Sequence, residues 1–325
     1  MASDDLQTRQ DALQARGAQL GEPDMAPTTR SATEAHMRSW LRWNLSTSRE
    51  PDKASPADLV AWIAHLELVC GWKAASIRKA LQAVGRWHRH RNLYDPTDSK
   101  LVSGALSRLA RDHAGEGTSQ ARNISPAEVT TLVKAATMDP YNRGVISDRG
   151  ARNAALFAVM YAAALRANEA VALNVDDVDP WADTRGMVVR IRRSKTDQVG
   201  VGQLVPVYYA HNVHVCPVRL IVELKKRLPS GGPLFRRMSK HGGWTARRLQ
   251  VESVNYLLRD ALKAAHLDDT TSHGLRRGAA TQLARASGGS LDAVANLLRH
   301  ENLEQSRRYV DDGNPWARVP DLLGL

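Results

Sequence analysis

Two helix start signals of the same form divide this chain. Ser55-Pro56-Ala57-Asp58 and Ser125-Pro126-Ala127-Glu128 each place a capping serine before a proline, with an acidic residue in the first turn. Residues 115–123, which lie between the two signals, are rich in glycine and small polar residues and predict an interdomain linker. Because 325 residues are enough for two domains, we expect two separate, mainly helical domains.

The region before the linker is expected to be all-helical. Residues 1–27 contain scattered glycine and proline without a sustained apolar period, which predicts a flexible tail. Residues 28–114 carry apolar residues at helical spacing. The clearest stripes are Leu59, Trp62, Ile63, Leu66 and Val69 in one helix, and Ile77, Leu81, Val84 and Trp87 in a helix from about Ala74 to Arg91. The second domain is expected to span 124–325.

The second domain is predicted to combine helices with a small antiparallel sheet. Met187–Ile191 is rich in β-branched residues and predicts a strand, with Gln203–Val207 as its partner and Arg193–Gly202 as the hairpin connection. The remaining periodicity predicts helices at 151–165, 217–228, Thr245 with 249–265, from Ser272 as cap, from Ser290 to about His300, and at 303–310. The predicted fold class is mainly α, with an all-helical first domain and an α+β second domain.

The charge of the chain points to a polyanionic partner. The net charge is +11, and residues 28–114 alone carry fourteen basic and eight acidic side chains. Lysine and arginine that neutralise phosphates release counterions, which drives binding to nucleic acid. A basic protein that is merely soluble is the alternative explanation.

The helix at about 74–91 has a basic face. Its cationic side chains lie mostly off the apolar stripe and are Arg78, Lys79, Arg86, Arg89 and Arg91, with His88 and His90 among them. Such a face can enter a major groove or straddle phosphates, so we predict that it contacts DNA. The alternative is a solvated face of a basic protein.

Cysteine use and hydropathy bear on the cellular compartment. Cys70 and Cys216 are the only cysteines, which is too few for a disulfide framework. The first ten residues are polar and acidic, unlike a signal peptide, and apolar stretches such as Ala154–Leu165 are too short to span a bilayer. The sequence therefore predicts a cytoplasmic protein with no membrane partner.

The second half of the chain contains residue types suited to phosphodiester chemistry. They are Arg166, Lys195, His273, Arg276, His300 and Tyr309. Arginines stabilise phosphate charge, histidine and lysine transfer protons, and a tyrosine hydroxyl can attack phosphorus. His273 and Arg276 are three residues apart, so they share one face near a helix start, where backbone N–H groups favour an anion. Each residue alone has an ordinary structural explanation, such as a half-buried tyrosine or a solvated turn lysine.

Five short motifs occur in a fixed order. They are Ala164–Glu169 with Leu173, Ser194-Lys195-Thr196, His273-Gly274-Leu275-Arg276, Leu298-Arg299-His300, and Tyr309 nine residues after that histidine. In order and approximate spacing they resemble the tyrosine recombinase (phage integrase) family over residues 124–310. The first domain looks like the core-binding domain that precedes the catalytic domain in Cre-like members.

The resemblance implies a covalent mechanism. Tyr309 would attack the scissile phosphate, form a 3′-phosphotyrosine and release a 5′-hydroxyl. Arg166 and Arg276 would stabilise the charge that builds on the phosphate, and Lys195 would protonate the 5′ oxygen. The bond energy is stored in the covalent link, so no metal or cofactor is expected.

The resemblance also implies three supporting residues and exposes two departures. His273 would act as general acid–base for the tyrosine proton, His300 would bind the phosphate, and Glu169 would orient the site. Arg299 occupies a place where the family usually has glycine; because arginine adopts a left-handed turn poorly, we expect an altered turn before His300. Arg277 stands where histidine is common, and is either a further phosphate contact or a surface charge.

A second cluster of possible ligands has a different meaning. His211, His214 and Cys216 lie close together, with His241 further along the chain. A zinc site needs four well-placed donors, or three and a water. A loop before the helix at Pro217 explains the segment more simply, so we predict no metal site.

The implied assembly is four protomers on two DNA sites, exchanging strands through a Holliday junction. The expected partner is duplex DNA with short inverted-repeat sites, and the free protein is expected to be monomeric or weakly associated. The apolar tail from Trp316 to Leu325 would pack on a neighbouring protomer, or else on its own domain. The alternatives are a type IB topoisomerase and a catalytically silent DNA-binding relative.

Overall fold

The structure is a computed structural model. The residues that it describes are 27–114, 121–137, 146–192, 202–300 and 302–313. The chain divides into two compact units, Met1–Thr118 and Ser119–Leu325. The predicted tail and most of the predicted linker lie outside the described residues. In the described part of the chain, no helix combines the length and the apolar character needed to cross a bilayer.

The described part of the first unit is helical, as the sequence predicts. Its elements are α1 (Pro27–Ser46), a single turn of 3₁₀ helix (Pro51–Lys53), α2 (Pro56–Leu68), α3 (Ala74–His90) and α4 (Lys100–Asp112). The predicted cap of α2 is confirmed: Ser55 N–H donates to Asp58 Oδ2 at 2.9 Å, and Asp58 N–H donates to Ser55 Oγ at 3.3 Å. This reciprocal pair satisfies two backbone donors that a helix start leaves open.

Tryptophans are the largest side chains in the core of the first unit. Trp40 and Trp62 are fully buried, and their ring centroids lie 4.9 Å apart in an edge-to-face arrangement that aromatic quadrupoles favour. The predicted apolar stripe of α2 is buried up to Leu66. Val69, which was expected to belong to that stripe, is 73% exposed; α2 ends at Leu68, and Val69 is only its C-cap.

The second unit contains eight described helices. They are α5 (Pro126–Thr137), α6 (Asp148–Ala162), α7 (Ala167–Ala172), α8 (Pro217–Arg227), α9 (Val251–Ala264), α10 (Ser272–Ala286), α11 (Leu291–Leu298) and α12 (Glu304–Gly313). The capping box at Ser125 and Glu128 is confirmed by its two bonds, at 2.8 and 3.3 Å. The predicted cap of α10 is wrong by one residue: Thr271 is the cap, and Ser272 begins the helix with its N–H donating to Asn255 Oδ1 at 2.9 Å.

Two small antiparallel sheets accompany these helices. The strands are β1 (Val178–Asp183), β2 (Gly186–Ile191) and β3 (Gln203–Tyr208) in the order β1-β2-β3, and a pair formed by β4 (Arg236–Met238) and β5 (Trp244–Arg248). The predicted β2–β3 pairing is confirmed, with Ile191 opposite Gln203. The sequence did not predict β1, because two aspartates and a proline are unfavourable in strands. Thr245, predicted in a helix, lies in β5 beside Trp244, which pairs with Met238.

Close backbone contacts fix the position of α10. A Cβ atom at Gly278 would lie 2.1 Å from the carbonyl oxygen of Ile124, so only glycine permits this approach. Immediately before the helix, Thr270 Oγ1 donates to the Arg122 carbonyl at 2.7 Å. The segment 121–125 before α5 therefore anchors the start of the helix that carries His273 and Arg276.

Candidate active site

Arg166 follows a strained turn and is held by a nearby carboxylate. The turn that precedes it, after α6, includes Ala164 with φ at 45°, a left-handed conformation that is unfavourable for alanine. Arg166 then forms the N-cap of α7. Its backbone N–H donates to Glu169 Oε2 at 2.9 Å, and its Nη1 donates to Glu169 Oε1 at 2.6 Å. Glu169 therefore fixes both the backbone and the side chain of Arg166.

Arg276 is buried between two turns that are distant in sequence. Its side chain is 2% exposed. Nη1 donates to the carbonyl of Ala164 and Nη2 to the carbonyl of Leu298, while Nη1 also lies 4.0 Å from Glu169 Oε2. Arg276 thus joins the turn before Arg166 to the end of α11, and brings a second guanidinium to the same carboxylate.

Arg299 contributes a third guanidinium, which sequence reasoning did not assign to the site. It adopts the left-handed conformation, with φ at 55° and ψ at 48°, so the turn expected to be altered keeps a geometry typical of glycine. Its Nη2 donates to Glu169 Oε2 at 2.8 Å and to the Ala164 carbonyl at 3.0 Å. The only sequence signal of this role was the presence of arginine where glycine is usual.

Burial and mutual repulsion govern the ionisation of this cluster. Burial, together with the charges of Arg166 and Arg299, lowers the pKa of Arg276 to about 9. Burial lowers the pKa of Arg299 as well, against the attraction of Glu169. For Glu169, burial alone would raise the pKa, but the Arg299 charge and the hydrogen bonds from Arg166 outweigh it and leave the pKa below its usual value. The cluster places three guanidinium groups around one carboxylate, and this excess of cationic groups suits an anion.

His300 and Tyr309 lie next to this cluster. The Nδ1 atom of His300 is 2.9 Å from Oγ of Ser306, which is fully buried. The ring centroids of His300 and Tyr309 are 6.1 Å apart. Tyr309 is 1% exposed and belongs to a buried cluster that also contains Ala164 and Leu298, the two residues whose carbonyls bind Arg276.

Of the other two predicted catalytic residues, the structure describes His273 but not Lys195. His273 is exposed in the first turn of α10, one turn before Arg276. Lys195 lies outside the described residues, in the segment that joins β2 to β3. Arg277 is partly buried, and its Nη1 donates to the Ala121 carbonyl at 3.4 Å. The structure therefore brings together Arg166, Glu169, Arg276, His300 and Tyr309.

The predicted basic face of α3 is only partly as expected. Arg78, Lys79, Arg89 and Arg91 are exposed, and Arg86 is half-buried with Nη2 donating to Thr33 Oγ1 at 3.1 Å. The placement of His88 on this face was wrong. It is fully buried, with Nδ1 3.0 Å from the Val84 carbonyl and Nε2 3.1 Å from the Pro51 carbonyl, because these two backbone acceptors satisfy its ring inside the core.

The histidines near Cys216 do not assemble a metal site. His211 and His214 are exposed, whereas Cys216 is buried and its sulfur accepts a hydrogen bond from the Ala210 N–H at 3.3 Å. Within the described ranges, no group of three or more potential ligands could hold a metal ion.

Comparison with known proteins gives the family. The integrase/recombinase xerD homolog of Selenomonas ruminantium is 28% identical over 80% of this chain and 74% of that protein. Tyrosine recombinase XerC of Chromobacterium violaceum is 30% identical over 82% of this chain and 88% of that protein. A lambda integrase tetramer bound to a Holliday junction shares the fold, with a TM-score of 0.60 and 17% identity over 93% of this chain and 77% of that one. Because the phage integrase family also matches residues 122–314, more than half of the sequence, the chain belongs to the phage integrase family of tyrosine recombinases.

Proposed function

We propose that this recombinase cuts and rejoins duplex DNA through a covalent 3′-phosphotyrosine formed on Tyr309. One observation carries the proposal. Arg166 and Arg276, which are 110 residues apart in the sequence, meet at Glu169 beside the buried cluster that contains Tyr309. A nucleophile, two phosphate-binding cations and an orienting carboxylate together suit attack on a phosphodiester.

The proposed reaction balances without an external energy source. The phenolic oxygen of Tyr309 bonds to phosphorus while the bond from phosphorus to the 5′ oxygen breaks. The tyrosine proton passes to His273, and Lys195 gives a proton to the departing 5′ oxygen. In rejoining, the 5′-hydroxyl of a partner strand gives its proton to Lys195 as it attacks the phosphotyrosine, and Tyr309 regains its proton from His273. Each step exchanges one phosphoester for another, so ATP is not required.

The electrostatics of the cluster support binding of a phosphate. Negative charge builds on the non-bridging oxygens in the transition state, where fixed cations stabilise it most. Arg276 has a pKa of about 9 because burial and two neighbouring arginines disfavour its charge, yet it stays protonated at neutral pH. A bound phosphate relieves this repulsion, and we propose that Arg166 and Arg276 bind its oxygens while His300 donates a further hydrogen bond.

Access to Tyr309 is part of the proposal. Its side chain is 1% exposed, so its hydroxyl must move before DNA can reach it. α12 carries Tyr309 and leads directly into the apolar tail that starts near Trp316. We infer that a shift of α12 on DNA exposes the nucleophile.

The proposed assembly is a tetramer that passes through a Holliday junction. A groove of about 870 Å³ lies between β3 and helices α10 and α11, with Leu204 64% exposed and Tyr208 62% exposed along β3. Its lining is mainly apolar but includes Arg299 and His300, and we propose that it accepts the tail of a neighbouring protomer, whose apolar residues are Trp316, Val319, Leu322 and Leu323. Without DNA we expect a monomer or a weakly associated protein.

The first unit would supply DNA affinity. We assign residues 28–114 as a core-binding domain and 124–325 as the catalytic domain, with the exposed cations of α3 contacting the backbone of short inverted-repeat sites. A DNA substrate would also place the protein at the nucleoid in the cytoplasm.

The test begins with selection of a substrate. Duplexes bound by the protein are enriched from a library of randomised inverted repeats. The most strongly enriched duplex is then nicked, so that the short 5′-hydroxyl fragment diffuses away after cleavage. We expect a covalent protein–DNA adduct on a denaturing gel, no adduct with Tyr309→Phe, and an unchanged yield with the control Tyr256→Phe. An adduct that persists in Tyr309→Phe would refute the assigned nucleophile.

Two further measurements separate the alternatives. A recombinase forms four-way junctions from two copies of the selected duplex, whereas a type IB topoisomerase relaxes supercoiled plasmid as a monomer without such junctions. Relaxation without junctions, on DNA of any sequence, would favour the topoisomerase. Binding without any adduct, on every enriched duplex, would leave only a silent DNA-binding relative.

A further inference from the structure

Arg299 is a buried charge in contact with the site, and the proposed mechanism does not use it. It follows α11 in the left-handed region, where a side chain is unfavourable and glycine is preferred. A strained position is retained when the surrounding structure makes use of it. The contacts of the side chain, rather than the turn itself, therefore account for an arginine at this position.

The guanidinium of Arg299 is bound from several directions. Nη1 donates to the carbonyls of Ala163 and Leu297, each at 3.0 Å. Nη2 donates to the Ala164 carbonyl at 3.0 Å and to Glu169 Oε2 at 2.8 Å. The side chain is only 4% exposed, so these four bonds replace water at the two terminal nitrogens, whereas the buried Nε has no hydrogen-bond partner. Arg299 is a fixed element of the site and not a mobile surface cation.

These bonds help to position Arg166 through two sets of neighbouring residues. Through Ala163 and Ala164, Arg299 holds the left-handed turn that directly precedes Arg166. Through Glu169, it fixes the carboxylate whose other oxygen binds the Arg166 guanidinium. Arg299 also directly precedes His300 in the chain. Its side-chain contacts therefore help to position both Arg166 and His300, which are two of the proposed phosphate-binding residues.

Arg299 also changes the charge of the cluster. Arg166, Arg276 and Arg299 all face the carboxylate of Glu169. With glycine at position 299 the cluster would hold one excess positive charge, and with arginine it holds two. A phosphodiester carries one negative charge, and its five-coordinate transition state carries two on the non-bridging oxygens. The additional cation therefore favours the transition state over the bound substrate.

We propose that Arg299 is a positioning residue for DNA cleavage, which holds the Arg166 turn and Glu169 in place and adds the second excess positive charge. The inference rests on the proposed phosphotyrosine chemistry. It differs from the roles assigned to Arg166 and Arg276, because Arg299 acts through its neighbours and makes no contact with DNA.

The test uses single-turnover cleavage of the enriched, nicked duplex. Arg299→Gly suits the backbone of this turn and removes all four side-chain bonds. We expect its affinity for DNA to stay within about threefold of the wild type, while cleavage slows by about 100-fold, the scale expected when a reacting group is misplaced by about 1 Å. Arg259→Ala, which removes a surface arginine paired with Asp269, is the matched control and is expected to cleave normally.

The pH dependence gives a readout that a purely structural role would not move. Arg299 holds down the pKa of Glu169, so its removal raises that pKa. The acid limb of the pH–rate profile is therefore expected to move to higher pH in Arg299→Gly. Arg299→Lys keeps the positive charge but loses the four guanidinium hydrogen bonds. The acid limb of its pH–rate profile should therefore lie close to that of the wild type, while its cleavage rate stays reduced.

The outcomes are separable. Wild-type rate and pH profile in Arg299→Gly would overturn the inference, since the side chain would then only fill the turn. If Arg299→Gly does not fold, Arg299→Lys decides: full activity would overturn the positioning role, and a reduced rate with normal DNA affinity supports it. If the wild type itself forms no adduct on the enriched duplex, the proposed function fails, whatever the variants do.

Discussion

The imidazole of His300 and the hydroxyl of Ser306 share a hydrogen bond, with Nδ1 and Oγ 2.9 Å apart. Ser306 is fully buried and lies three residues before Tyr309 on α12. The bond therefore ties the proposed phosphate-binding histidine to the helix of the nucleophile. Because the second nitrogen of a histidine ring is oriented by the partner of the first, Ser306 sets the direction in which His300 presents Nε2.

Replacing Ser306 with alanine should disturb the orientation of His300 while changing the free energy of unfolding only slightly. The net loss of one hydrogen bond is about 1 kcal/mol of unfolding free energy. We expect single-turnover cleavage to slow by about tenfold, the effect of a modestly misoriented group, with DNA affinity unchanged. Ser253→Ala on α9 is the control. Equal rates for Ser306→Ala and the control would show that His300 is held by other contacts.

The pairing of Glu169 predicts a specific pH dependence of stability. The folded pKa of Glu169 is lowered, so its contribution is present above the unfolded value of about 4.3 and is lost as the pH falls through the folded pKa. Glu169→Gln leaves buried arginines without their carboxylate, and should lower the free energy of unfolding by about 3–5 kcal/mol at neutral pH.

Denaturant titrations at several pH values provide the measurement. The difference between the wild type and Glu169→Gln should be largest at pH 6–8 and should narrow below about pH 4. Glu223→Gln, at a carboxylate whose side chain is 45% exposed, is the control and should change stability by less than about 0.5 kcal/mol. A difference that is constant across this range would mean that Glu169 does not act as a charged partner.

The exposed cations of α3 predict the salt dependence of DNA binding. Arg78 and Lys79 are both exposed. If each neutralises one phosphate, the double variant Arg78→Ala/Lys79→Ala should reduce the slope of log affinity against log salt by about 2. Fluorescence anisotropy titrations over a range of salt concentrations would measure the slope. Lys53→Ala, which removes an exposed lysine paired with Glu50, is the control and should leave the slope unchanged. If the slope is also unchanged in the double variant, Arg78 and Lys79 do not contact the DNA backbone.

Local signals explain what the sequence predicted well. The capping boxes at Ser55 and Ser125 and the strands β2 and β3 follow from short-range chemistry, so their patterns are visible within a few residues. Lys195 belongs to a motif of the same local kind, but it lies outside the described residues and stays a prediction.

Long-range contacts explain what the sequence did not predict. Arg299 and Glu169 are 130 residues apart, and an ion pair at that separation leaves no periodic pattern. The burial of His88 was not predicted for the same reason, because one of its hydrogen-bond partners is the Pro51 carbonyl in another segment of the chain. The amphipathic pattern assigned it to the basic face because histidine is usually polar and exposed, and tertiary hydrogen bonds overrode that tendency.

The proposed leaving-group role of Lys195 can be tested through the chemistry of the substrate. An oxygen leaving group needs a proton, whereas a thiolate leaves readily without one, because thiols are far more acidic than alcohols. Lys195→Ala should therefore slow cleavage of ordinary DNA by about 10²–10⁴-fold. On a duplex with sulfur in place of the bridging 5′ oxygen, its rate should return close to that of the wild type.

Two variants make this substrate test specific to the leaving group. His273→Ala should stay slow on both duplexes, because His273 is proposed to handle the tyrosine proton and not that of the leaving group. Lys240→Ala, at an exposed lysine between β4 and β5, should cleave both duplexes normally. If sulfur rescues Lys240→Ala but not Lys195→Ala, the proton donor is Lys240. If neither lysine variant cleaves the sulfur-containing duplex faster than ordinary DNA, the 5′ oxygen receives its proton from a group other than these lysines.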